Sequence, residues 1–126
     1  MIKLVSTENA PKAIGPYTQA VIHNGIAYLS GQIPLDPASG QLIEGDIAAQ
    51  TERVMENLKA VLAAAGSSLD RVLKTTVYLV EIAEFPIMNE VYGRYFSANP
   101  PARSTVQVAK LPRGARIEVD IVAIAG

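Results

Sequence analysis

One arginine near the end of the sequence has the surroundings expected of an anion-binding residue. Arg103 follows two prolines, and residues 102–108 alternate as in a β-strand, with Arg103, Thr105 and Gln107 on the polar face. The prolines stiffen the entry to the strand, so we expect the guanidinium to project from a rigid base. A guanidinium binds a carboxylate in a bidentate geometry that contributes about 1.5–3 kcal/mol. By spacing alone, a surface ion pair at a strand end is the simpler interpretation of Arg103.

A carboxylate on the following strand is the second candidate for chemistry. Arg116, Glu118 and Asp120 alternate with apolar residues, which predicts a last strand with one charged face. If residues 112–114 form a hairpin tip, Glu118 lies opposite the end of the preceding strand, and Arg103 is about 13–17 Å further along. The two side chains then do not meet within one chain. A site that uses both would need two copies of the chain, which predicts an oligomer.

The composition excludes several classes of site. The chain has 126 residues, no cysteine and one histidine, so it holds no disulfide framework, no thiolate nucleophile and no site rich in cysteine or histidine. We therefore expect chemistry without a metal. No linker, internal repeat or low-complexity tract divides residues 1–126, and the length predicts a single domain.

Charge and hydropathy restrict the partners. The formal net charge of -1 provides no basic field, which disfavours nucleic acid as a main partner. Hydrophobic residues make up 49% of the chain and charged ones only 18%, and this apolar excess predicts burial in a core or an interface between copies. No stretch approaches the ~20 apolar residues of a spanning helix, and the first residues lack the apolar segment of a signal peptide. We expect a cytoplasmic protein without a membrane partner.

The strands that position these residues follow from composition and turn signals. Strand patterns cover residues 2–5, 17–23, 26–33, 72–80 and 102–108, followed by the last strand that contains Glu118. Asn24-Gly25 joins two of these patterns, and both positions tolerate a positive φ, which predicts a hairpin. Gly31 lies inside a strand pattern, and this indicates a bulge or a group that approaches the backbone closely.

Two helices complete the predicted fold. Asp46 is available to cap a helix over residues 47–65, Gly66 follows it, and a second helix is predicted near residues 84–96. In the second helix Tyr92 belongs to the apolar stripe, whereas Asn89 lies off it. The outer side of the first helix is predicted to carry Gln50, Glu52, Arg53, Glu56, Asn57 and Lys59. This order of elements predicts an α+β sheet with helices on one face and with the other face covered by further copies.

The sequence also resembles a known family. The resemblance lies in Ala10-Pro11, Ile14-Gly15-Pro16-Tyr17, Ser30-Gly31-Gln32-Ile33-Pro34, Met88-Asn89, Val91-Tyr92, Tyr95-Phe96 and Pro100-Pro101-Ala102-Arg103-Ser104. Their joint order and spacing resemble the RidA/YjgF family of reactive-intermediate deaminases over nearly the whole chain. The resemblance implies a chorismate-mutase-like α+β fold with a six-stranded, mostly antiparallel sheet and two helices on one face. It also implies a homotrimer whose sheets form a central barrel, with clefts between subunits.

The resemblance further implies a chemistry and two principal site residues. Members of the family hydrolyse enamine and imine acids, such as 2-aminoacrylate, 2-iminopropanoate and 2-iminobutanoate, to 2-keto acids and ammonia without a cofactor. Arg103 matches the arginine that grips the substrate carboxylate, and Glu118 matches the glutamate that positions or activates the water. A protonated imine carbon is already electrophilic, so such a site needs no covalent nucleophile.

Five further positions are expected to border the substrate. Tyr17 matches a tyrosine that lines the cleft, Ser30 and Gly31 match a segment at its border, and Asn89 matches a residue near its rim. Thr105 shares the polar strand face with Arg103 and stands where many relatives carry cysteine. Regulation or labelling through a thiol at this position is therefore not expected.

Other functions remain open from the sequence alone. A non-catalytic trimer that binds 2-keto acids or related metabolites would use the same Arg103. A structural or interaction protein would use apolar surface and would not depend on Arg103. A ribonuclease would require salt-dependent RNA binding, which the net charge disfavours.

Overall fold

Six strands and two α-helices make up the protein, and the computed structural model describes all of residues 1–126. The elements are β1 (Lys3–Val5), β2 (Ala20–His23), β3 (Ile26–Gln32), α1 (Ile47–Ala64), β4 (Val72–Leu79), α2 (Phe85–Tyr95), β5 (Ala102–Gln107) and β6 (Ile117–Ile124). Both helices pack on the apolar face of the sheet, and the pairing is antiparallel except between β4 and β5. Neither α-helix is long and apolar enough to cross a bilayer. The α+β prediction is confirmed.

The strand order differs from the prediction at the end of the chain. The order is β1-β2-β3-β6-β4-β5, so β6 lies between β3 and β4, and the predicted hairpin of β5 with β6 is wrong. Helix α2 connects β4 to β5, and a helical crossover leaves the second strand parallel to the first. Residues Pro112–Gly114 form a 3-10 turn that returns the chain to the centre of the sheet. Alternate residues of β6 are fully buried, as a central strand covered on one face requires.

The local signals are confirmed, with shifts of up to three residues at the ends. Asn24 and Gly25 form the β2–β3 turn with φ of 52° and 75°. The bulge predicted at Gly31 appears as a register shift between Leu29 and Gln32. Strand β2 begins only at Ala20, so the segment predicted as its start is a loop.

Helix α1 begins where its cap was predicted, but its polar side is not all exposed. Asp46 accepts a hydrogen bond from the Ala49 N–H, and Gly66 follows the last turn with φ of 73°. Gln50 and Asn57, predicted on the outer side, are instead buried. Their amides bind backbone groups of the segments that cover this side of the helix, since buried backbone groups require partners.

The amide of Asn57 therefore stabilises the loop after β3. Its Nδ2 donates to the Leu35 carbonyl at 2.9 Å, and the residue is 0% exposed. We expect Asn57→Ala to lower the free energy of unfolding by about 2–3 kcal/mol, because a partly buried carbonyl loses its partner and a cavity forms in place of a fully buried side chain. Denaturant unfolding measures this loss. Glu52→Ala, at an exposed position of the same helix, is the control and should change stability by no more than about 0.5 kcal/mol.

Candidate functional site

The carboxylate of Glu118 packs against the backbone of the β3 bulge. Glu118 alternates with the core residues of β6, so its side chain lies on the sheet face opposite the helices. A methyl group built on Gly31 would overlap this carboxylate and lie 2.8 Å from its carboxyl carbon. Gly31 therefore provides the space in which the Glu118 carboxylate sits. The close approach that the sequence indicated at Gly31 is confirmed.

The surroundings of Glu118 favour its protonated form. Burial raises the pKa of the Glu118 carboxyl, and the negative charge of Asp120 raises it further. Asp120 in turn accepts a hydrogen bond from the Tyr78 hydroxyl at 2.9 Å, and this bond raises the pKa of Tyr78. Glu118 makes no ion pair, so its carboxyl is free to exchange a proton with a bound molecule.

A cleft of about 420 Å³ brings three of the predicted residues together. Tyr17, Gly31 and Glu118 line it, together with Lys12 and Arg113, which the sequence analysis missed. The walls of the cleft come from the loop before β2, from the end of β3 with the loop after it, and from the turn before β6 with the start of β6, and no local pattern marks them. Arg113 has a φ of 61°, and its Nη1 donates to a backbone carbonyl of the loop after β3 at 3.0 Å.

Ser30 is not among the residues that line this cleft. Its hydroxyl donates to the Thr18 carbonyl, and its N–H donates to the Gln19 carbonyl at 2.9 Å. The polar groups of Ser30 thus fasten the segment before β2 to β3. Ser30 therefore stabilises the wall of the cleft without lining the cleft itself.

Arg103 forms a second group with residues of α2. Its Nη1 donates to Asn89 Oδ1 at 2.7 Å, and its guanidinium carbon lies 4.8 Å from the ring centre of Tyr92 and 5.3 Å from that of Phe85. Stacking on aromatic rings and one hydrogen bond fix the guanidinium plane and leave its other donors free. Arg103 makes no ion pair, so the surface ion pair that spacing alone favoured for this residue is not observed.

The ring beneath Arg103 is itself fixed. The Tyr92 and Thr75 hydroxyls form a buried hydrogen bond of 2.8 Å. Burial is the main cause that raises the pKa of Tyr92, so the phenol under the guanidinium stays neutral. Tyr92 is a core residue, as predicted, and it also orients Arg103.

Thr105 shares the sheet face of Arg103, as the alternation predicted. It pairs with Val77, a core residue of β4. Its Oγ1 is buried and has no hydrogen-bond partner. A buried hydroxyl without a partner is costly.

The two groups lie on opposite faces of the sheet. Arg103 is in register with Thr75 on the helix face, whereas Glu118 is in register with Tyr78 on the open face. The structure therefore does not bring Arg103 and Glu118 together within one chain. The prediction that they remain apart is confirmed, but the reason is the strand order and not the length of a hairpin. No three acidic or histidine side chains lie close enough to bind a metal ion.

Comparisons with known proteins place the chain among close relatives. A family model described as Endoribonuclease L-PSP matches residues 7–125. The chain is 55% identical over 124 residues to Protein DfrA of Myxococcus xanthus, with 97% of this chain and 95% of that protein covered. It is 48% identical over 124 residues to the Homo sapiens protein named 2-iminobutanoate/2-iminopropanoate deaminase, with 98% and 90% covered.

Solved structures agree with this placement. The crystal structure of Escherichia coli TdcF with bound serine superposes with a TM-score of 0.93 at 38% identity, and the match covers 98% of this chain and 99% of that chain. The crystal structure of yeast Mmf1 superposes with a TM-score of 0.97 at 38% identity over the whole of both chains. The α+β architecture is therefore shared with solved proteins over its full extent.

The raised pKa of Glu118 predicts how stability depends on pH. The folded state binds the proton more tightly than the unfolded state, whose carboxyl titrates near 4.5. Binding of this proton therefore stabilises the folded protein at pH values below 4.5. The stabilisation is lost as the pH rises through the pKa that Glu118 has in the folded state. We expect Glu118→Gln to match the wild type in melting temperature near pH 4 and to exceed it near pH 7.

Thermal unfolding of both proteins across this range measures the difference. Glu52→Gln, at an exposed position, is the matched control. A constant difference between Glu118→Gln and wild type across the range would contradict the expectation, as would a wild type that is the more stable protein near neutrality.

Proposed function

The chain belongs to the RidA/YjgF family, and from this premise we propose that it hydrolyses reactive enamine and imine acids to 2-keto acids and ammonia. The proposed substrates are 2-aminoacrylate with its tautomer 2-iminopropanoate, and 2-iminobutanoate. The observation that carries the proposal is the cleft in which the Glu118 carboxyl, with its raised pKa, lies against the bare backbone of Gly31. We propose that the reaction takes place in the cytoplasm.

The assembly that we propose is a homotrimer with sites between subunits. Arg103 of one copy would face Glu118 of the next, because the sheet separates the two residues within a chain. The open sheet face also exposes apolar side chains, with Leu4 at 68%, Tyr28 at 48% and Val106 at 43%. Packing three such faces into a central barrel, as in a chorismate-mutase-like trimer, removes this apolar surface from water.

Arg103 and its neighbours would bind the substrate carboxylate in this site. The guanidinium, held by Asn89 and stacked on Tyr92, presents its free donors as a planar fork. Thr105 lies on the same sheet face, and its hydroxyl would bind the substrate only if the partner copy or the substrate uncovers this buried atom. Holding the carboxylate in this way fixes the imine carbon in front of the attacking water.

Glu118 would act as the general base and acid. Its carboxylate accepts a proton as the oxygen of water bonds to the imine carbon, and the imine nitrogen takes up a proton to give a carbinolamine. The protonated Glu118 supplies the proton that the imine nitrogen takes up. The carboxylate so regenerated takes the hydroxyl proton and passes it to the amine nitrogen as the carbon–nitrogen bond breaks, so that ammonia leaves and the keto group forms. The sum consumes one water and releases one ammonia without oxidation or reduction. A carboxyl whose pKa is raised towards neutrality suits both transfers.

A non-catalytic metabolite binder is the second candidate function. The relative TdcF was solved with bound serine, a small amino acid that carries a carboxylate. A binder of 2-keto acids would use Arg103 in the same way but would not turn over an imine. The family model is described as an endoribonuclease, and RNA cleavage is therefore a third activity to assay on the same preparations.

Arg103→Ala tests the carboxylate grip. We expect kcat/KM for 2-iminobutanoate to fall roughly 10- to 150-fold, which corresponds to loss of a charge-assisted pair of about 1.5–3 kcal/mol. Arg103→Lys keeps the charge but not the fork and should recover only part of the loss. The imine is generated with a pyridoxal-phosphate dehydratase, and its decay is followed with and without the protein.

Arg94→Ala is the matched control, because Arg94 lies on α2 and only pairs with Glu90 at the exposed surface. Each variant is compared at equal oligomeric state. Failure of the natural protein to accelerate imine decay would favour the metabolite binder, and acceleration that survives Arg103→Ala would place the site elsewhere.

Gly31→Ala tests the placement of Glu118. Gly31 has no positive φ, and the atoms its new methyl meets belong to the end of a flexible side chain, so the fold should tolerate the change. The displaced carboxylate should lower kcat by about 100-fold. Steady-state kinetics measures the loss of kcat, and a melting temperature close to that of the wild type would show that the fold is retained. Undiminished turnover would mean that Glu118 acts from another position.

A further inference from the structure

One buried side chain connects the wall of the cleft to the sheet. Gln19 is only 3% exposed and precedes β2. Its Oε1 accepts from the Thr7 N–H at 2.6 Å, and its Nε2 donates to the carbonyls of Thr7 at 3.1 Å and Pro11 at 2.7 Å. A single carboxamide thus makes hydrogen bonds at both ends of residues 7–11, the first half of the loop formed by residues 7–17.

This loop has little else to hold it. It contains no helix or strand, and of its residues only Ala10 and Pro11 are buried. The 420 Å³ cleft lies along one side, and a cavity of about 610 Å³ lies along the other. Lys12 and Tyr17 line both spaces. Because packing is missing on both sides, the hydrogen bonds of Gln19 must fix the loop.

Gln19 is also attached to the segment that holds Glu118. Its backbone carbonyl accepts from the Ser30 N–H at 2.9 Å, and Ser30 is followed directly by Gly31. The carboxamide therefore sets the distance between two walls of one cleft. One wall is the loop with Tyr17, and the other is the bulge against which the Glu118 carboxylate rests.

We propose that Gln19 is a positioning residue of the site, which acts by fixing the loop of residues 7–17 and with it Tyr17 in the wall of the cleft that Glu118 also lines. The inference rests on the proposed function, since it assigns Gln19 a part in imine hydrolysis. Gln19 does not line the 420 Å³ cleft and acts only through the loop. A purely structural role would lower stability without changing turnover in the folded protein.

Gln19→Met separates these roles. Methionine fills a similar volume but neither donates nor accepts the three bonds. Gln50→Met is the matched control, because Gln50 is also a buried glutamine, 4% exposed, whose amide binds the Arg116 N–H and no group of the loop. Both variants should lose stability, because each leaves buried backbone groups without partners. At a temperature where both are folded, we expect kcat/KM to fall at least about tenfold in Gln19→Met and to persist in Gln50→Met.

Two further measurements test whether Gln19 acts through the loop of residues 7–17. Amide hydrogen exchange of residues 7–17 should become at least about tenfold faster in Gln19→Met and stay unchanged in Gln50→Met. In a double-mutant cycle, Gln19→Met should cost little further activity in a Tyr17→Ala background, because Gln19 acts through the loop that carries Tyr17.

The outcomes that overturn the proposal are distinct. Unchanged exchange in the loop overturns it whatever the activity. Equal loss of kcat/KM in Gln19→Met and Gln50→Met, or additive losses with Tyr17→Ala, reduces Gln19 to a structural residue. If the natural protein does not hydrolyse imines, the proposed function fails and the catalytic part of this inference fails with it, while the exchange data still decide whether Gln19 fixes the loop.

Discussion

The last strand, β6, pairs with both β3 and β4, and both halves of the candidate site take their positions from this double pairing. On its β3 side, β6 brings Glu118 against the bulge, where the missing side chain of Gly31 leaves room for a carboxylate. On its other side, β6 occupies one edge of β4, so β5 can pair only with the outer edge. Arg103 is thereby placed at the border of the sheet, next to α2 and within reach of Asn89. Any change that displaced β6 would alter both groups together.

The same arrangement explains why Arg103 and Glu118 of one chain do not face each other. A sheet separates Arg103 from Glu118, and each residue has its own means of orientation on its own face. Aromatic stacking on Tyr92 holds the cation, and backbone contact with Gly31 holds the acid. Neither group depends on the other for its geometry. In the proposed trimer, association of copies would complete the site without rearranging either half, which would limit the ordering cost of assembly.

The sequence predicted the elements well and their arrangement only in part. Asn24-Gly25, Asp46 and Gly66 act on their immediate neighbours, so turn and cap signals located these features directly. The partner of a strand, by contrast, depends on the whole sheet, and the turn of Pro112–Gly114 resembled a hairpin tip although it leads β6 to distant strands.

Gln50 and Asn57 were misplaced for the same reason. Only segments distant in the chain determine which side of α1 is covered, and the backbone groups of those segments bind the two side-chain amides. Lys12 and Arg113 reach the cleft from separate loops, and no spacing rule connects them.

The separation of charges also has a chemical consequence. Arg103 and Glu118 form no ion pair with any residue of the chain, although each is partly buried, where an opposite charge would be attractive. An Arg103–Glu118 pair within the chain would lower the pKa of the carboxyl and occupy the fork of the guanidinium, and both would then be less able to serve a substrate. Holding them on opposite faces keeps the carboxyl pKa raised and the guanidinium donors free. In the proposed trimer, a small anionic imine that enters between two copies would carry the negative charge that Arg103 lacks and a nitrogen that can exchange a proton with Glu118. The substrate itself would therefore complete the electrostatics of the site, and a carboxylate ligand is the chemical class best able to do so.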